Sequence, residues 1–217
     1  MSTCGTAASS SGCASDARDL MRAGTRTEFV AGPAGKIECA VDVPDTEPRG
    51  VALVAHPHPL FGGALDNKVV QTLARAFVEL GYTAWRPNFR GVGGSDGTHD
   101  EGRGELEDLA AVIEYAKAEK PVLAGFSFGA ALQARLAQTV KPERMVLVGV
   151  AVKHFEAPAV PADTIVIHGE EDTTVLLADV LEWARPQDLP VVVVPGADHF
   201  FHRRLHVLRA IVQNNWK

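Results

Sequence analysis

The chain has 217 residues, 46% of them hydrophobic and 22% charged, enough to bury one ordinary core and short for two independent domains. Its 21 Lys and Arg stand against 27 Asp and Glu, a formal net charge of −6 that opposes the phosphate neutralisation a nucleic-acid binder needs. No apolar run approaches the ~18 residues of a membrane-spanning helix, so neither nucleic acid nor membrane is expected as a partner.

Taken in chain order, residues 1–23 form a Ser/Ala-rich head with Cys4 and Cys13, expected to be a disordered tail ahead of one domain over 24–217. The head lacks the basic leader and apolar stretch of a secretory signal, which makes a cytoplasmic location the default. With Cys39 the cysteines number three, an odd count that implies no disulfide framework. Two short extended runs, Arg26–Ala31 and Lys36–Val43, flank the turn signal G-P-A-G and predict a hairpin. The rhythm then alternates. Val51–His56 is an unbroken apolar run. Lys68–Leu80 carries Val69, Leu73, Phe77 and Leu80 at helical spacing, and Tyr82–Phe89 is extended again. Glu105–Lys117 reads as helix, Pro121–Phe126 as strand, Phe128–Gln138 as helix, Met145–Val152 and Thr164–His168 as strands. Val175–Ala184 is helical, Val191–Val194 a strand of four valines, and Arg203–Gln213 a closing helix. Strands that are apolar throughout are buried on both faces, and the helices between them are the crossovers parallel pairing requires. The fold class is therefore α/β, with a mainly parallel central sheet, helices on both faces and an N-terminal hairpin. In such sheets the reactive groups gather in loops beyond the carboxyl ends of the strands.

One of those loops has a distinct signature. The run from Pro121 passes straight into a helix through Gly125, Ser127 and Gly129, the spacing G-x-S-x-G. A serine on so tight a strand-to-helix turn stands above the sheet edge, and small residues two before and two after let the chain pass. The following helix offers the Phe128 N–H to a developing oxyanion. A serine hydroxyl is a poor nucleophile at neutral pH and needs a base, which in turn needs a carboxylate to orient it. Past the strand ending at His168 comes Asp172, and past Val194 comes His199, each just beyond a strand end. Glu170 and Glu171 remain alternatives to Asp172 as the orienting acid.

These residues resemble the α/β-hydrolase superfamily, and in it the small, lidless bacterial branch related to dienelactone hydrolases and to carboxylesterases and thioesterases. The likeness extends over Thr27 to Gln213. It rests on A-H-P-H-P-L-F-G-G at 55–63, N-F-R-G-V-G-G-S-D-G at 88–97, G-F-S-F-G at 125–129, and H-G-E-E-D at 168–172 followed by G-A-D-H-F at 196–200. The chain order of serine, acid and histidine is also that of the superfamily. The resemblance implies Ser127 as nucleophile, Asp172 as acid and His199 as base, with a second oxyanion N–H from the loop after the third strand, assigned to Leu60. Pro57 and Pro59 have no N–H, which leaves Phe61 and His58 as the other candidates. The segment Lys153–Asp163 is where larger relatives insert a lid, and it has room for none.

Other signals carry less. Gly91, Gly93 and Gly97 have a spacing that dinucleotide sites use, but the next strand ends in A-G-F-S with no acidic residue for a ribose; the glycines are read as letting this loop pass beneath the site. His56 and His58 are one pair, short of a metal site, and His202 and His206 read as a solvated helix face. Phe61, Phe126 and Phe200 are read as walls of an apolar acyl pocket, against the simpler reading of core packing under the turn. The expectation is a serine hydrolase taking a small or medium acyl ester or thioester and water, with neither cofactor nor metal, and with a homodimer left open. A peptidase or amidase on the same three residues and a non-catalytic binding protein are the competing readings.

Overall fold

The hairpin at the start of the fold forms as β1 (Thr25–Gly32) and β2 (Gly35–Asp42), antiparallel with Gly32 opposite Gly35. The computed structural model describes Met1 and residues 24–216, so the head expected to be disordered, with Cys4 and Cys13, lies outside the described residues. Next come β3 (Gly50–Ala55), α1 (Lys68–Glu79), β4 (Tyr82–Pro87), α2 (Arg103–Tyr115), β5 (Val122–Phe126) and α3 (Phe128–Leu136). The chain closes with β6 (Met145–Val148), β7 (Ile165–Gly169), α4 (Leu177–Ala184), β8 (Val191–Val194) and α5 (Leu205–Asn215). Among the described residues one eight-stranded sheet results, ordered β1-β2-β4-β3-β5-β6-β7-β8 and parallel from β4 to β8.

The burial of successive residues explains why these runs are apolar throughout. Leu53 and Ala55 of β3 join a core with Leu109 and Val112 of α2, Leu132 of α3 and Val180 of α4. Their neighbours Ala52 and Val54 join a second core with Leu73 and Phe77 of α1 and Leu208 and Val212 of α5. Alternate side chains thus serve opposite faces, and each face is covered. Asn67 Oδ1 caps α1 by accepting the Val69 and Val70 N–H groups.

Two features of these connections bear on the site. The sixth strand stops at Val148 because Gly149 takes φ 53, and from there to β7 the described chain forms neither helix nor strand. The loop after β4 borders the site, with Phe89 and His99 packed on Phe128. It folds against the hairpin, where Glu38 of β2 accepts hydrogen bonds from Asn88 Nδ2 and the Gly94 N–H, each at 2.7 Å. With β4 and β5 on opposite sides of β3, the connections diverge there and open a crevice beyond the strand ends.

Candidate active site

At that crevice β5 turns into α3 through Ser127, whose φ of 55° and ψ of −115° lie where a non-glycine residue is strained. The surroundings hold it there. The Ser127 N–H donates to Val148 O at 2.9 Å, and its carbonyl accepts from Ala130 and Ala131. The two flanking glycines are forced by contact. A Cβ on Gly125 would lie 2.5 Å from Gly129 O, and one on Gly129 would lie 2.5 Å from both Ala55 O and His56 O. The start of α3 is thereby seated directly against the end of β3.

Asp172, in the turn after β7, is fixed before it meets any imidazole, because its Oδ1 accepts the Thr174 and Val175 N–H groups at 2.9 and 2.8 Å. Its Oδ2 lies 2.6 Å from Nδ1 of His199, and His199 Nε2 lies 3.1 Å from Ser127 Oγ. The carboxylate draws the ring proton to Nδ1 and leaves the Nε2 lone pair facing the serine hydroxyl. All three side chains are buried. The Phe126 ring packs against the His199 ring at 4.8 Å between centroids, and Gly149 leaves room on another side, where a Cβ would come within 3.3 Å of His199 Cε1. Glu170 and Glu171 are exposed and do not meet His199; Glu170 Oε2 instead accepts the Gly196 N–H at 2.9 Å and ties the β7 and β8 turns together. Buried His168 donates from Nε2 to Val175 O at 3.0 Å, and burial holds its imidazole below its usual pKa, opposed by the nearby Asp172.

The N–H groups around Ser127 divide clearly. Phe128 is the first residue of α3, so its N–H has no acceptor within the helix. Across from it, the segment Pro59–Phe61 coils into a single 3-10 turn, and the Leu60 N–H is taken by His58 Nδ1 at 3.2 Å. Phe61 and Gly63 both donate to His58 O, and Gly62 donates to Pro59 O. Leu60 is therefore corrected as the second oxyanion donor: its N–H is spent within the turn, and the residue is 69% exposed. From His58 to Gly63, only the His58 N–H lacks an acceptor among the described residues. Just before it, His56 acts as a strut. Its Nδ1 donates to Pro57 O at 2.6 Å and its Nε2 accepts the Phe89 N–H at 2.9 Å, while burial pushes its pKa down to about 4.

The phenylalanines also separate. Phe126 is fully buried in the core on the α1 and α5 face and supports His199 from below, so it cannot wall an open pocket. Phe61, 87% exposed, and Phe200, 45% exposed, remain at the rim where a substrate can reach them. The sequence reading passed over His99 and Glu105, which sit beside His58 and Phe128. The only sequence-level cue to them is an acid three residues into α2, the position that closes a capping box.

With this geometry in place, comparison with known proteins is direct. Residues 58–161 match the family model described as the alpha/beta hydrolase fold. The chain is 33% identical over 201 residues to an uncharacterised protein of Rickettsia prowazekii, covering 80% of this chain and 81% of that one. Among solved structures it is similar to a lidless α/β serine hydrolase of Xanthomonas campestris, with TM-score 0.83, 36% identity, and coverage of 88% of this chain and 93% of the other. An α/β serine hydrolase homologue of Coxiella burnetii is comparable, with TM-score 0.80 and 36% identity over 90% of this chain and 99% of that one.

Proposed function

The chain belongs to the α/β-hydrolase family, and from that premise we propose a serine hydrolase that cleaves small to medium acyl esters or thioesters through an acyl-enzyme on Ser127. The observation that carries this reading is the continuous hydrogen-bonded path from a buried carboxylate, through one imidazole, to a hydroxyl on a strained turn. In the first half-reaction Ser127 Oγ bonds to the acyl carbon while His199 Nε2 takes the hydroxyl proton. The carbonyl oxygen becomes an oxyanion between the N–H groups of Phe128 and His58. As it collapses, the bond to the leaving alcohol or thiol breaks and His199 returns the proton to that group. Water then repeats the sequence, with His199 taking its proton and restoring it to Ser127. Asp172 keeps the proton on Nδ1 throughout and stabilises the imidazolium.

The segment between β6 and β7 forms no helical lid, though its Phe155 packs on Phe128 and His58, and such a lidless rim suits soluble substrates more than a lipid interface. Exposed Phe61 and Phe200 offer apolar contact to an acyl chain. The test is Ser127→Ala on p-nitrophenyl acetate and butyrate, beside labelling of the wild-type chain with a fluorophosphonate probe. Turnover and labelling both disappear in the variant while thermal unfolding stays cooperative. Persistent turnover in the variant removes Ser127 as nucleophile, and a wild-type chain that neither labels nor turns over is a binding protein on this fold.

A further inference from the structure

A second imidazole, oriented much as His199 is, stands beside the nucleophile turn. Glu105 is fully buried, and its carboxylate accepts the Asp100 and Gly102 N–H groups at 2.9 Å and His99 Nδ1 at 2.7 Å. Asp172 is built the same way, with two backbone N–H groups and one imidazole. The two sites differ at the far side of the ring. His199 Nε2 meets Ser127, whereas His99 Nε2 has no partner among the described residues and still reaches solvent. Next to it, 4.8 Å between centroids, lies the ring of His58, which packs on Phe128, Phe61 and Phe155. His58 Nδ1 accepts the Leu60 N–H, so in the neutral ring its proton is on Nε2, and that atom too is unpartnered and open to solvent. Burial and the neighbouring His99 lower the His58 pKa, opposed by Glu105, which favours the neutral ring.

We infer that His58 and His99 form a substrate subsite that recognises a hydroxyl group on the ester. This rests on the serine-hydrolase reading above. His58 Nε2–H is a donor, and His99, with its proton directed at Glu105, presents Nε2 as an acceptor. One hydroxyl oxygen within ~2.9 Å of each nitrogen uses both, because it accepts one hydrogen bond and donates another. A plain alkyl chain uses neither. A carboxylate meets an acceptor nitrogen with the buried charge of Glu105 behind it and is disfavoured. The exposed Phe61 ring and the half-buried Phe155 ring beside His58 supply the apolar approach, so the substrate class is a short ester with a hydroxyl a few bonds from the carbonyl.

The experiment uses the full chain and four esters followed by acid release: ethyl butyrate, ethyl 3-hydroxybutyrate, 2-hydroxyethyl butyrate and monoethyl succinate. The wild type favours one of the hydroxylated esters over ethyl butyrate by about fivefold or more in kcat/KM, the effect of about one net hydrogen bond, and disfavours the succinate. Which hydroxylated ester gains tells whether the subsite faces the acyl or the alcohol portion. In His99→Phe the hydroxyl preference falls to about one, an outcome that a purely structural role, slowing all esters alike, does not give. His99→Asn serves as the second variant if the phenylalanine does not fold cooperatively. A wild-type ratio near one, or a preference that survives both substitutions, overturns the subsite while leaving the hydrolase reading intact. Failure to turn over any ester, together with no fluorophosphonate labelling, overturns both.

Discussion

His56 and His199 are both buried at the same edge of the sheet, at the ends of β3 and β8, yet they are wired differently. Both nitrogens of His56 are consumed by main-chain groups, Pro57 O and the Phe89 N–H, so the ring pins the β3 and β4 loops and has nothing left to exchange. His199 spends one nitrogen on a carboxylate and keeps the other against a hydroxyl. A histidine's partners, more than its burial, separate scaffold from chemistry, and the two regions respond to different perturbations.

The largest effect falls on the second region. His199→Ala and Asp172→Asn are each expected to lower kcat by on the order of 10⁴, about 5 kcal/mol of transition-state stabilisation, with melting temperatures close to wild type. Steady-state kinetics beside calorimetry checks both halves, and a large loss of stability in either variant would erase the contrast with His56. The next effect belongs to the first region and is read by pH. The His56 pKa is about 4 in the fold against 6.5 for the free side chain, so between these values the unfolded chain holds more protons than the native one. Stability is therefore complete above pH ~6.5 and falls as pH drops towards ~4, by about 3 kcal/mol in all, with His168 acting in the same direction. Urea unfolding near pH 7 and pH 5 measures this slope, and His56→Gln flattens it. A slope identical in wild type and variant would place the proton uptake elsewhere. The smallest effect concerns the turn itself. Ser127→Gly and Ser127→Ala lose the same hydroxyl, but only glycine takes φ 55 without strain, so the glycine variant is expected to be more stable by about 1 kcal/mol. Thermal melts of the pair decide it, and an alanine variant of equal or greater stability means the backbone there is relaxed.

How much of this the sequence could tell follows from the physics of each feature. The central strands were legible because burial on both faces makes Val51–Ala55 and Pro121–Phe126 apolar without interruption, and helical spacing marked α1 through Val69, Leu73 and Phe77. The approximate positions of Ser127, Asp172 and His199 were legible because each lies in the loop or turn that follows a strand end. The overrun of β6 to Val152 arose because an apolar run conceals a single residue of positive φ, and Gly149 was the only mark of the bend. Leu60 was misassigned for another reason: which N–H in a short loop stays free depends on where a side-chain acceptor such as His58 Nδ1 lands, and composition does not encode that. The burial of Phe126 beside the exposure of Phe200 was hidden likewise, since adjacency to a site does not say which face of the sheet a ring takes.

The side chains of the hydrogen-bonded chain leave the sheet from separate turns after β5, β7 and β8, and Ser127 and His199 are 72 residues apart. No contiguous fragment of the polypeptide contains them in working order, so catalysis reports on cooperative assembly of the entire sheet. On the hydrolase activity proposed above, heat inactivation and loss of tertiary signal are expected to share one midpoint, which would make turnover a quantitative gauge of the folded population.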